Sequence, residues 1–188
     1  MRLRIPDPSL VILCGPAGTG KSTFARNHFR ETAIVSTDRL RAMISDDESN
    51  MAVSGEAFDL FHQITAVRLR HGLLAVADST AVSKEARREL RQLGRRAGVP
   101  VTLIVFDISE ATAVKWNEAR ERRVGRPVIR RQWEQLQEAL KEISREAYDE
   151  VVILSEDNLA RVTVELVRRR RGTEPAARAA EQGGTDGD

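Results

Sequence analysis

Short unbroken apolar runs recur along this chain, and between them apolar residues return at every third or fourth position. Leu10–Cys14, Ala33–Ser36, Leu73–Ala77, Val101–Phe106 and Val151–Leu154 are such runs, each suited to a strand buried on both faces. The intervening segments read as helices. Thr23–Phe29 continues with helical character out of a glycine-rich loop, and Asp38–Ile44 predicts a short helix. From Gly55 to Arg70, Phe58, Phe61, Ile64, Ala66 and Leu69 fall at helical intervals, with Gly72 as the stop. Ser83 can cap a helix that carries Ala86, Leu90, Leu93 and Ala97 on one face and ends near Gly98. Further helices are expected from about Ser109, over Ile129–Arg145, and from Glu156 to about Arg170 as the closing element.

Buried strands alternating with helices predict an α/β fold, with a five-stranded, mostly parallel sheet and helices on both faces, because parallel strands need crossover connections. Ligand then binds at the carboxyl ends of the strands. The length of 188 residues fits one domain. Residues 1–171 are read as that domain, and residues 172–188 as a disordered tail, since they hold no large apolar side chain to offset the entropy of ordering.

Composition narrows the class only slightly. An apolar fraction of 41% and a charged fraction of 31% belong to a soluble globular chain, and no apolar run approaches the roughly 20 residues that cross a bilayer. The basic N-terminus lacks the apolar core of a secretory signal, so the cytoplasm is the expected compartment, with no membrane partner. The single cysteine, Cys14, falls in the first apolar run and reads as a small buried hydrophobe. A net charge of +2 leaves a nucleic-acid partner open and makes the placement of the arginines decisive.

The chemistry begins directly after the first run. Gly15-Pro16-Ala17-Gly18-Thr19-Gly20-Lys21-Ser22 fills every fixed position of the phosphate-binding pattern G-x-x-x-x-G-K-[ST], in the strand, loop, helix order that cradling phosphate requires. Lys21 is assigned to the β and γ phosphates of ATP and Ser22 to Mg²⁺, with Gly15, Gly18, Thr19, Gly20 and Thr23 completing the nucleotide contacts. The loop points to a nucleoside triphosphate and by itself does not separate kinase from ATPase or GTPase; the expected fold class is that of a P-loop phosphotransferase.

The acceptor side decides which phosphotransferase. Asp38 follows the second run by two residues, where a carboxylate can take a proton from an attacking hydroxyl, and Arg41 lies one helical turn on. A helix N-cap at Asp38 and a solvated Arg41 are the plain alternatives. Asp78 ends the third run and can orient Mg²⁺ or serve the following turn. Arg120, Arg122, Arg123 and Arg126 crowd one turn with Gly125 and Pro127, at the place where small kinases carry a lid.

These residues resemble the polynucleotide 5′-kinase module of bacterial RNA end-healing and end-sealing repair enzymes, over nearly the whole of residues 1–171. The resemblance rests on Ser22-Thr23-Phe24-Ala25, on Ser36-Thr37-Asp38-Arg39-Leu40-Arg41, on the loop Ser45-Asp46-Asp47-Glu48-Ser49-Asn50, and on Val128-Ile129-Arg130-Arg131-Gln132 after the lid. It implies that Asp38 is the base for a 5′-hydroxyl of RNA or DNA, that Arg41 holds the acceptor's 3′ phosphate, and that Arg120 and a second lid arginine stabilise the γ-phosphate. The lid is about one residue shorter than the family's, so the second arginine is Arg122 or Arg123, and Arg123 is the one assigned here. The family's Asp-Ala-Thr-Asn turn stands here as Asp78-Ser79-Thr80-Ala81. The resembling family's phosphatase and ligase modules have no counterpart in these residues, which implies a kinase acting alone or with repair partners in trans.

Two other functions use the same loop. A small-molecule or toxin-like P-loop kinase shares the carboxylate after the second strand, and a nucleotide-dependent binding module needs no base at all. The absence of a Thr/Asn-Lys-x-Asp signature favours ATP over GTP.

Overall fold

A computed structural model describes residues 1–168. Strands β2 (Leu10–Cys14), β3 (Ile34–Ser36), β4 (Ala75–Asp78), β5 (Val101–Phe106) and β6 (Glu150–Leu154) form one sheet in the order β3-β4-β2-β5-β6. Every pairing in it is parallel. All residues of β2, β4 and β5 are buried, as their unbroken apolar sequences require of strands covered on both sides.

The side-chain alternation of these strands divides the core in two. Leu10, Ile12, Ala77, Leu103 and Val105 face α3 (Ser54–Arg70), α4 (Lys84–Arg96) and α6 (Arg126–Glu142). Val11, Leu13, Val76, Ile104 and Phe106 face α1 (Lys21–His28) and the flank of α5 (Glu110–Glu118), where Trp116 packs. Ser83 caps α4 by accepting from the Ala86 amide, and Gly72 closes the turn after α3 at φ 66°. The remaining helix in this half, α2 (Thr37–Ser45), follows β3 directly.

Both ends of the described chain depart from the sequence reading. Only Glu156–Leu159 is helical (α7); Thr163–Arg168 is a strand, β7, paired in parallel with β1 (Arg2–Asp7), which the sequence reading did not foresee. The two-stranded ribbon buries Leu3 and Ile5 against the second core, while Arg2 and Arg4 stay exposed and pair with Glu165 across the ribbon. The alternation Arg-Leu-Arg-Ile is a half-buried strand pattern, and its partner lies so far along the chain that no local period reveals it.

The inward face of α3 is also rotated from expectation. Phe61 and Leu69 are buried with Ala57 and Thr65, whereas Phe58 and Ile64 remain 40% and 38% exposed. The apolar residues of α3 surround the helix, so spacing alone does not select the stripe that meets the sheet. Helix α6 begins at Arg126 rather than Ile129, with Pro127 in its first turn. The stretch 172–188, read as a disordered tail, lies outside the described residues, as do residues 169–171 at the end of the expected closing helix. Among the described residues no helix is long and apolar enough to cross a membrane.

Candidate active site

The phosphate loop leaves β2 at the carboxyl edge of the sheet and enters α1 at Lys21. Gly18 and Gly20 adopt left-handed φ values of 84° and 87°, and a Cβ on Gly18 would lie 2.4 Å from the Ala113 carbonyl oxygen. Only glycine lets the loop close there. The loop is braced from three sides. Thr19 Oγ1 donates to the Pro16 carbonyl at 2.9 Å, the Ala17 amide donates to Gln132 Oε1 at 2.8 Å, and the Gly15 amide donates to the Thr80 carbonyl at 2.8 Å. Gln132, on α6, was quoted in the sequence motif without a role; it ties the loop to the helix after the lid.

Lys21 is buried, and its Nζ donates to the carbonyls of Gly15 at 2.8 Å and Pro16 at 2.6 Å. Burial pushes its ammonium down to about 8, and Arg120 adds to that, while Asp78, Cys14 and Asp38 act in the other direction. Asp78 sits beside it at the end of β4, in register with Leu13 of β2 and Ser36 of β3. Burial raises the Asp78 carboxyl, against the opposing effects of Lys21 and the Ser22 hydroxyl. Ser22 and Asp78 therefore offer two hard oxygen donors side by side, the set that suits Mg²⁺, which keeps most of its waters and needs few protein ligands.

A pH dependence follows from Lys21. Bound phosphates would raise its pKa, so the complex carries more proton than the free protein once pH exceeds about 8. Nucleotide affinity is expected to weaken as pH rises through that value, with proton uptake on binding measurable by titration calorimetry in buffers of different ionisation enthalpy. Binding that takes up no proton on either side of pH 8 would remove Lys21 as a phosphate ligand.

Asp38 faces this cradle from the rim. It is the second residue of α2 and makes no cap hydrogen bond; its Oδ1 pairs with Arg41 and its Oδ2 accepts from Arg122 Nη1 at 2.6 Å. Its charge is felt at both Lys21 and Asp78. Arg41 is buried rather than solvated, and its Nε donates to the Glu48 carbonyl at 2.9 Å, fixing the acidic loop 45–50 against the helix.

The arginine-rich stretch read as a lid is the loop 119–125 between α5 and α6. Buried Asn117 pins its base twice, donating from Nδ2 to the Val124 carbonyl and accepting from the Val124 amide, each at 2.9 Å. Within that span Arg122 reaches Asp38, and its Nε donates to Ser49 Oγ at 3.0 Å. Arg123 is exposed, with Nε donating to the Arg120 carbonyl at 3.3 Å, and does not join Asp38. Arg120 borders a cleft of about 560 Å³ beside Gly18 and Gly20, walled by Trp116, Leu159 and Val162. Thr23 also lines this cleft. The structure thus brings Lys21, Ser22, Asp38 and Arg41 together with Asp78 and Arg122, and sets Arg120 and Thr23 on the cleft side of the loop.

A protein-family model described as an AAA domain matches residues 10–143. The chain belongs to this family. Its matched region contains the loop, Asp38, Asp78 and the arginine-rich loop, whereas the cleft walls Leu159 and Val162 lie beyond it. A search of curated protein sequences gives no significant match. Among solved structures, this AAA domain is similar to a chain of the Pnkp1/Rnl/Hen1 RNA repair complex, with a TM-score of 0.64 and 22% identity over 72% of this chain. That match spans 46% of the other chain, so this protein corresponds to less than half of it. A protein of the PezAT toxin–antitoxin system of Streptococcus pneumoniae is similar at a TM-score of 0.55 and 16% identity, covering 80% of this chain and 69% of that one. A gluconokinase from Sinorhizobium meliloti 1021 is similar at 0.51 and 17% identity, covering 83% and 87%. Identities this low show a shared fold. That fold is an α/β P-loop-like architecture, a five-stranded parallel sheet flanked by helices.

Proposed function

We propose that this chain is an ATP- and Mg²⁺-dependent kinase that transfers the γ-phosphate to the 5′-hydroxyl end of RNA or DNA. The observation that carries the reading is the placement of Asp38 at the mouth of the phosphate loop, with a buried guanidinium, Arg41, at its side. A nucleotide switch needs no carboxylate there, whereas transfer to a hydroxyl needs a base within reach of it.

In the proposed reaction the loop amides and Lys21 hold the β and γ phosphates, and Ser22 with Asp78 would hold Mg²⁺, which neutralises phosphate charge when bound. Arg120 extends the cationic wall toward the cleft, whose Trp116 face suits a purine base. Asp38 takes the proton of the acceptor hydroxyl as its oxygen attacks the γ-phosphorus, and ADP leaves. The acceptor phosphate is assigned to Arg41, whose planar fork matches it.

The test is incubation with γ-labelled ATP and a panel of 5′-hydroxyl oligonucleotides, sugars and sugar nucleotides. Preferred labelling of sugars or sugar nucleotides would replace the polynucleotide reading by a small-molecule kinase. Asp38→Asn is expected to lower kcat by ~10²-fold or more with ATP affinity preserved, while Arg41→Ala raises KM for the oligonucleotide more than for ATP. Retained turnover in Asp38→Asn would remove it as the base.

A further inference from the structure

Both carboxylate oxygens of Asp38 carry an arginine in this structure: Oδ1 is held by Arg41 and Oδ2 by Arg122. Each oxygen keeps a second lone pair, so a hydroxyl can still approach, but it has to share either oxygen with a guanidinium. Release of one arginine gives the hydroxyl an oxygen to itself, and the settings of the two differ sharply. The Arg41 side chain is only 7% exposed and is anchored to the Glu48 carbonyl, whereas the Arg122 side chain is 27% exposed on a loop, against a carboxylate 46% exposed. Contacts between partly exposed charges are weak and exchange readily. Arg122 is the displaceable one.

Its other partners define what can displace it. Arg122 Nε donates to Ser49 Oγ at 3.0 Å and lies 3.5 Å from Glu48 Oε1, so its fork is spread over two carboxylates and a hydroxyl at the mouth of the acceptor side. A phosphate carries more charge than either carboxylate and fits a guanidinium bidentately. With Arg41 fixed next to it, an arriving phosphate gains the Arg122 fork and the nearby charge of Arg41. Resting on the kinase reading above, we propose that Arg122 is an acceptor-selecting latch: it covers Asp38 until a phosphate on the acceptor draws it away. Oδ2 is then free for the hydroxyl proton, the oxygen–phosphorus bond forms, and the bond to the ADP oxygen breaks. A hydroxyl compound without a phosphate has to compete with the closed latch. The latch thus favours an anionic acceptor at the turnover step, in addition to any affinity the phosphate supplies.

The positions of Glu48 and Ser49 follow from this role. They hold the guanidinium at the acceptor entrance while the lid base stays pinned by Asn117, so Arg122 moves from carboxylate to phosphate without the lid unfolding.

The test compares adenosine 3′-phosphate with adenosine as acceptors for the full chain at saturating ATP. For Arg122→Met, the ratio of kcat/KM for the phosphorylated acceptor to that for adenosine is expected to fall by about 10-fold, the loss of one charge-assisted contact, with the adenosine value itself raised because nothing covers Asp38. Glu48→Gln keeps the guanidinium and loosens its hold, so KM for adenosine 3′-phosphate is expected to fall. An Arg122→Met protein in which both values drop together and the ratio holds would make Arg122 a γ-phosphate ligand and overturn the latch. An unchanged KM in Glu48→Gln would overturn it as well. Transfer by the wild-type protein to neither compound nor to any 5′-hydroxyl oligonucleotide would instead overturn the kinase reading, and the latch with it.

Discussion

Replacing Lys21 with alanine is expected to lower phosphoryl transfer by ~10²-fold or more while thermal stability stays the same or rises. The two effects separate because the folded protein keeps this ammonium buried at a cost, which is what pushes it down to about 8. Among the described residues its hydrogen-bond acceptors are the Gly15 and Pro16 carbonyls of the loop it serves. Removing it discards a group that destabilises the fold and that catalysis cannot replace, since transfer here depends on positioned charge. Turnover numbers and melting temperatures of the purified variant check this. A variant that melts well below the parent would show that Lys21 holds the loop together, and one with full activity would remove it from the chemistry.

The second large effect lies beneath the site. Glu146→Leu is expected to cost about 3–5 kcal/mol of stability, because it strands a guanidinium in the core. Arg87 is 1% exposed; it donates to Glu146 Oε1 at 2.5 Å and to the Val82 carbonyl at 2.7 Å. Glu146 also accepts from Arg91 and from the Tyr148 hydroxyl, and the Arg91 guanidinium lies over the Tyr148 ring. Burial raises the Glu146 carboxyl, but the hydrogen bonds from Arg87 and Tyr148 outweigh it and hold the group below its ordinary value. The same Arg87 braces the turn after Asp78, where Ala81 sits at φ 44° and the neighbouring Thr80 carbonyl accepts from the Gly15 amide. Losing Glu146 should therefore weaken nucleotide binding as well as the fold. The double variant Arg87→Met, Glu146→Leu is expected to recover part of the loss, since the most deeply buried charge goes with its partner, while Arg91 and the Tyr148 hydroxyl still lose theirs. Urea unfolding of the three proteins measures this, and a cost below about 1 kcal/mol for Glu146→Leu alone would mean that water reaches Arg87.

Ala81 also gives physical content to one difference from the polynucleotide-kinase motif. The resembling turn ends in Asn, a residue that tolerates left-handed backbone, and this chain places alanine at a left-handed φ. The bonds from Arg87 and from the Cys14 thiol to the Ala81 carbonyl hold that conformation in place of a favourable side chain. Cys14 itself behaves as the small buried residue its position predicted, with burial pushing its thiol up to about 11.

The sheet and the phosphate loop were legible because both are written in contiguous residues. An unbroken apolar run is buried on both faces wherever it lies, and a glycine loop between strand and helix cradles phosphate by its own backbone. That is why Leu10–Ser22 specified its structure and its chemistry together, and why the carboxylate after β3 stood out before any contact was known. Three things needed the folded chain. The ribbon of β1 and β7 joins residues at opposite ends of the described chain, and neither strand signals its partner. The Arg87–Glu146 pair depends on α4 meeting the segment before β6, which a charge count does not reveal. Arg122 and Arg123 are neighbours of the same type, equal in any reading of spacing. The two hydrogen bonds between Asn117 and Val124 set the path of the lid, and that path turns one guanidinium to Asp38 and the other to solvent.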